Sequence, residues 1–203
     1  MQSQSMYLAS MIGSIAFAIS GFLVGTKNKL DWIGLFMLSF LTANGGGIIR
    51  DMLVNRMPLA LSSDEPFLIV FAVTILGTIF RLNRYSHVEN NWLFVVCDAV
   101  GLVAFAITGA LVASVIGAPF FGYIMLAFLT ATGGAILRDI LVNNIPEVLH
   151  SGFYGSIAIL VAASIYFLDK IKVITPVDLL AIAIIGLLLR VLAYRYRWRL
   201  PKL

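Results

Sequence analysis

Two arginine-aspartate pairs, Arg50-Asp51 and Arg138-Asp139, stand inside segments that are otherwise almost wholly apolar. Each follows a run of glycines and small polar residues: Thr42, Asn44, Gly45, Gly46 and Gly47 before the first, Thr130, Thr132, Gly133 and Gly134 before the second. Neutral oxygens beside a few charges suit a monovalent ion or a small zwitterion, since a divalent cation calls for more carboxylates. An unpaired arginine in hydrocarbon is costly, so each needs an acid, carbonyls, water or a route to the interface. Adjacent residues on a helix point about 100° apart, so Arg50 and Asp51 are expected to find partners other than each other. Ser20, Ser39 and Thr108 would extend the polar track from neighbouring segments.

The two sites are copies. A shift of 88 aligns Gly13 with Gly101, Phe17 with Phe105, Gly21 with Gly109, Arg50 with Arg138 and Pro58 with Pro146, with 25 of the 49 positions from Gly13 to Leu61 identical. Matched glycines, charges and a proline in register mark an internal repeat rather than two unrelated apolar helices. The copies differ at one telling position: Asp98 stands where the first unit has Ser10. This unduplicated acid is a candidate partner for an arginine. Gly13, Gly21, Gly101 and Gly109 read as seams of small residues for close helix packing. The adjacent glycines read differently, because a packing face needs small residues three or four apart. They are expected to open the second and fifth helices and expose carbonyls and half-helix ends, as broken membrane helices do at ion and substrate sites.

Composition places these sites in a bilayer. The chain of 203 residues is 61% apolar and only 12% charged, about half the charge of an ordinary soluble domain. A single cysteine, Cys97, excludes an internal disulfide and a cysteine-rich zinc site. His87 and His150 fall in connecting stretches. The 14 basic residues against 10 acidic ones collect between apolar runs and at the C-terminus, a topology signal rather than a nucleic-acid surface. Motifs for zinc hydrolysis, phosphate cradling or a nucleophile elbow do not occur, so the chain reads as a non-enzyme with no cofactor.

The elements that must position the two sites are seven apolar segments. They run roughly over 6–25, 30–55 with a break at the glycines, 66–80, 92–116, 120–143 with the second break, 152–168 and 176–194. The first lacks a basic leader and shares its glycine pattern with the fourth, so it is expected to be a retained helix rather than a signal peptide. Three crossings per unit is an odd number, so the second unit enters from the opposite side. The expected fold is therefore an all-α integral membrane protein with an inverted three-helix repeat, 6–90 and 91–173, plus a seventh helix and basic tail at 174–203. Lys27, Lys29, Arg81, Arg84, Arg195, Arg197, Arg199 and Lys202 gather on one side, and Arg56, Lys170 and Lys172 on the other. The positive-inside bias puts the N-terminus outside and the C-terminus in the cytoplasm. The Arg-Tyr-Arg-Trp-Arg tail also offers a contact for anionic lipid headgroups.

From Met6 to Tyr194, and most specifically in the paired Gly-Gly-x-x-x-Arg-Asp motifs ending at Asp51 and Asp139, the sequence resembles the bacterial branch of the trimeric intracellular cation (TRIC) channels. The bacterial members are also grouped as UPF0126 proteins with a glycine-transporter domain. The resemblance implies seven transmembrane helices and a homotrimer in the inner membrane. Each subunit would have its own potassium- and sodium-conducting pore, flanked by the glycine motifs at Gly45-Gly46-Gly47 and Gly133-Gly134. Ala135 replaces the third glycine of the second motif. Animal members carry a lysine-glutamate lipid-binding signature near the first motif; Ile49-Arg50-Asp51 stands here instead, so phosphoinositide control does not carry over. An alternating-access carrier of glycine or another zwitterion would use the same residues.

Overall fold

In the computed structural model the described residues are 2–80, 82, 92–150, 153–171, 173–196 and 198. Arg81, Arg84, His87, Lys172, Arg197, Arg199 and Lys202, and the side chain of His150, lie outside them. The described residues form α1 (Gln2–Lys27), α2 (Trp32–Leu53), α3 (Leu59–Ser62), α4 (Glu65–Ile79), α5 (Trp92–Val115), α6 (Phe120–Leu141), α7 (Glu147–His150), α8 (Tyr154–Ile171) and α9 (Pro176–Arg195). Six of these, α1, α2, α5, α6, α8 and α9, are long and apolar enough to cross a membrane. The fifteen-residue α4 is apolar but shorter.

Helix ends follow local chemistry. Asp31 caps α2, its carboxylate accepting from the Gly34 amide at 2.7 Å, which moves the start two residues past Leu30. Thr175 and Asp178 form a capping box on α9, with Pro176 in the first turn. Asn55 and Asn143, equivalent in the repeat, end α2 and α6 in the left-handed conformation at φ 54° and 57°. The amides after them, of Arg56 and Asn144, bond back to Asp51 and Asp139 carbonyls at 2.8 Å. Asparagine tolerates this backbone better than most residues.

The helix α5 is the centre of the molecule, with 83% of its apolar span buried, and α9 is peripheral at 22%. Around α5 the packing occurs twice. Gly13 receives the Phe105 ring and Gly101 receives the Phe17 ring, so α1 and α5 run antiparallel with each aromatic filling the other's gap. Gly21 lies against Leu38, Ser39 and Thr42 of α2, and Gly109 against the equivalent Leu126, Ala127 and Thr130 of α6. These four glycines are packing seams, as their spacing indicates. Aromatic contacts dock α4 on α2, with the Phe36 and Phe67 rings 5.2 Å apart, and α8 on α6, with Tyr123 and Tyr166 at 5.1 Å.

Contacts at the ends sort the helices into two sets. Tyr7 donates to Glu65, joining the starts of α1 and α4. Ser114 and Tyr123 both donate to Asp169, joining the ends of α5 and α8 to the start of α6. At the opposite end, Trp92 meets Tyr194, joining the start of α5 to the end of α9.

One expectation is overturned. The helices α2 and α6 run through their glycines as continuous α-helix, so neither is broken. Glycine allows a helix to open but does not force it to. Here the missing side chains serve the approach of the two helices to each other.

Candidate functional site

The crossing of α2 and α6 is made backbone to backbone. A methyl group on Gly46 would overlap the Thr130 carbonyl, and one on Gly134 would overlap the Thr42 carbonyl. The pairing of 42 with 134 and 46 with 130 means that the helices pass antiparallel. Position 38 of α2 then lies level with Arg138. At 1.5 Å per residue, Arg50 and Arg138 sit roughly 18 Å apart along the axis, on opposite sides of the crossing. Gly45 and Gly133 belong to the same contact, against Leu137 and against Gly46 and Ile49. Thr42, Thr130 and Thr132 each donate their hydroxyl to the carbonyl four residues back, and the Asn44 amide does the same to Phe40. Helix interiors commonly satisfy such groups in this way.

On one side of the crossing Arg138 is fully enclosed, 1% exposed. Its Nη1 donates to Asp98 Oδ1 at 2.7 Å and to Ser20 Oγ at 2.6 Å, and its Nε to Asp139 Oδ1 at 2.8 Å. The Phe94 ring covers the guanidinium at 5.2 Å. Asp139 is doubly used, since its Oδ2 accepts from the Glu147 amide at the start of α7. The Glu147 side chain in turn accepts from Arg190 of α9 at 2.7 Å. Charged donors and acceptors paired this closely in a buried site bind strongly, and removing one member leaves its partner uncompensated.

On the other side Arg50 has a different setting. Its Nε and Nη2 make a two-pronged pair with Asp51, both bonds 2.9 Å. The expectation that these neighbours would not satisfy each other is therefore wrong. The 100° between them describes their Cβ directions, and an arginine chain is long enough to fold its guanidinium back over the next residue. The pair borders a small cleft, about 30 Å³, lined by Ser10, Ser14, Asn44, Gly47, Ile48 and Phe105 among others. Gly47 faces open space: a methyl there would meet only Arg50 Nη2, at 3.8 Å.

The repeat explains the contrast. Where the first unit has Ser10, Ser14 and Gly47, the second has Asp98, Leu102 and Ala135, all buried. Larger side chains fill the second unit's equivalent of the cleft, and Asp98 engages Arg138, whereas on the side of its counterpart Ser10 the equivalent Arg50 pairs with Asp51.

Of the residues singled out from sequence, the structure brings Asn44, Gly47, Arg50 and Asp51 together at the cleft, and Asp98, Arg138 and Asp139 together in the sealed cluster. Thr42, Gly45, Gly46, Thr130, Thr132, Gly133 and Gly134 lie at or beside the crossing between them. Sequence reasoning passed over Ser14, Glu147 and Arg190. The signal for Arg190 was available, since it is a lone charge inside the apolar α9. Glu147 had a weaker signal as the acid after Pro146, where the first unit has Leu59 after Pro58. Among the described residues no group of three or more His, Cys, Asp or Glu side chains is arranged to hold a metal ion.

A family model described as Glycine transporter matches residues 7–83 and again residues 95–170, once for each unit. The chain is 32% identical to the UPF0126 inner membrane protein YadS of Escherichia coli (strain K12) over 198 residues, covering 96% of this chain and 94% of the relative. It matches the crystal structure of a prokaryotic TRIC channel in 0.5 M KCl with a TM-score of 0.87 and 33% identity over 96% of this chain and 98% of that one. The TRIC trimeric intracellular cation channel orthologue from Rhodobacter sphaeroides gives 0.85 and 30%, covering 95% of this chain and 98% of that one.

Proposed function

The chain belongs to the glycine-transporter family of UPF0126 membrane proteins, and from its likeness to solved TRIC channels we propose that it is a monovalent cation channel of the inner membrane. It conducts potassium and sodium through a separate pore in each subunit of a homotrimer. The solved relatives at 30% identity or more are TRIC cation channels with the same fold over nearly the whole chain. The observation that carries the reading within this molecule is the neutralisation of both arginines. Arg50 and Arg138 face three carboxylates, Asp51, Asp98 and Asp139, so two positive charges meet three negative ones. A path along α2 and α6 therefore carries no uncompensated positive charge to repel a cation.

In this reading the α2–α6 crossing is the pore wall. The cleft beside Arg50 is one mouth, and the Arg138 cluster is the closed constriction. Arg50 and Arg138 tune the opening while Asp51, Asp98 and Asp139 offset their charge. Thr42, Asn44, Thr130, Thr132 and the glycines 45–47, 133 and 134 line or shape the passage. Counting α4 as a crossing gives seven, in two inverted units over 6–90 and 91–173 followed by α9. The antiparallel pairs α1–α5 and α2–α6 support this count, as does the sorting of helix ends by Tyr7–Glu65, Asp169 and Trp92–Tyr194. The N-terminus is then outside, the cleft opens outward and the Arg138 cluster lies toward the cytoplasm.

Reconstituted protein distinguishes a channel from a carrier. Potassium current in planar bilayers and uptake of labelled glycine into vesicles are measured on one preparation. Discrete potassium-carried openings without glycine uptake are expected; saturable glycine uptake without unitary currents would overturn the reading. Arg138→Ala is expected to remain a trimer by light scattering and to show an altered current-voltage relation. An unchanged relation would remove Arg138 from the mechanism while leaving the channel assignment in place.

A further inference from the structure

The seventh helix has no counterpart in the repeat, and it contributes one buried charge, Arg190, 5% exposed. Arg190 stacks its guanidinium 4.4 Å over the Tyr154 ring and donates Nη2 to Glu147 Oε1 at 2.7 Å. A buried cation in a membrane helix needs such a partner, and this partner is not idle. The Glu147 amide holds Asp139 Oδ2 at 3.1 Å while Asp139 Oδ1 holds Arg138. The chain of contacts thus runs from α9 through α7 to the arginine at the sealed constriction. The first unit has no such chain. Leu59 stands in place of Glu147, and Asp51 gives both oxygens to Arg50.

A second observation marks this cluster. Buried side-chain polar atoms without a hydrogen-bond partner among the described residues are Ser39 Oγ, Asp98 Oδ2, Tyr154 Oη and Arg190 Nε. The last three belong to residues of this one network and its immediate cover. It therefore holds a spare acceptor and spare donors, so it has alternatives to its present pairing if one bond is lost.

We propose that Arg190 is a positioning residue for conduction. By fixing Glu147 it fixes Asp139 and, through it, the closed placement of Arg138, so that the seventh helix sets how often each pore opens. This rests on the reading of Arg138 as the constriction. Arg190 does not border the cleft, so the size of the unitary current is left to other residues.

Single-channel recording of Arg190→Gln and Glu147→Gln, each alone and combined with Arg138→Ala, tests it. The expected result is an open-to-closed ratio raised about tenfold by either single change, the scale of one charge-assisted hydrogen bond. Unitary conductance is expected to stay unaltered, Arg190→Lys to restore the closed state at least in part, and neither change to add anything once Arg138 is alanine. An equal rise in both backgrounds would show that α9 acts elsewhere, and no rise would show that it does not act; either overturns the proposal. If Arg190→Gln fails to assemble as a trimer, Glu147→Gln decides alone, because its backbone amide to Asp139 remains. If Arg138→Ala by itself leaves the currents unchanged, it is the underlying reading of Arg138 that fails, and this inference falls with it.

Discussion

One methyl group separates Gly47 from its repeat counterpart Ala135, and its consequence depends on which way the helix faces. Gly47 looks into the cleft, whereas Gly46, one residue earlier, is pressed against the Thr130 carbonyl. Gly46→Ala forces the α2 and α6 backbones apart, an overpacking cost of about 1–3 kcal/mol, and is expected to lower the melting temperature of the detergent-solubilised protein. Gly47→Ala meets no backbone and gains roughly 0.5–1 kcal/mol of helix propensity. Its melting temperature is expected to hold or rise while potassium current falls, because the new methyl occupies the mouth. A Gly47→Ala protein that melts lower and conducts normally would place the passage elsewhere. At this scale the sequence was informative where the repeat was broken: Asp98 stood out because Ser10 did not match it, and it does meet Arg138. The Arg50–Asp51 pair was hidden, since helical spacing constrains the Cβ directions but not the tip of a long side chain. The role of Glu147 was hidden too, because it acts through its amide as well as its carboxylate.

Among the elements, the six long helices were legible from apolar length alone; Asp31 caps α2 and sets its start, whereas α1 begins four residues before the expected start and α8 runs three residues past the expected end. What was misread was the purpose of the glycines. Adjacent glycines look like a break, yet the spacing that matters is Thr42-x-x-x-Gly46 and Thr130-x-x-x-Gly134, two small residues four apart, which is the packing pattern itself. The hydroxyls of Thr42 and Thr130 bond within their own helices, which leaves the surface smooth enough for backbones to touch. Continuous helices then hold Arg50 and Arg138 at a fixed separation across the crossing. The short helices α3 and α7 were not foreseen, though Pro58 and Pro146 mark both. In α7 this mattered, since its first residue is the one that joins Asp139 to Arg190.

For the whole molecule, the asymmetry of the two units acquires a direction only once the membrane sides are assigned. An inverted repeat has no preferred side by symmetry, so residues that break the symmetry must supply one. Among the described residues, Lys27, Lys29 and Arg195 gather at one set of helix ends, against Arg56 and Lys170 at the other. An excess of lysine and arginine near short loops marks the face expected to stay in the cytoplasm. In the proposed orientation the Arg138 cluster and its Arg190 support lie inward, and the open cleft outward. In a Cys97→Ser background, which removes the lone buried thiol, Ser63→Cys and Asn28→Cys would sit in loops on opposite faces. A membrane-impermeant maleimide applied to intact spheroplasts is expected to label Ser63→Cys and to reach Asn28→Cys only after lysis. The reverse pattern would turn the molecule over and make the Arg138 constriction the outer one. Equal labelling of both in intact cells would mean that the subunits insert in both orientations, so that the sealed and open mouths face each side in equal numbers.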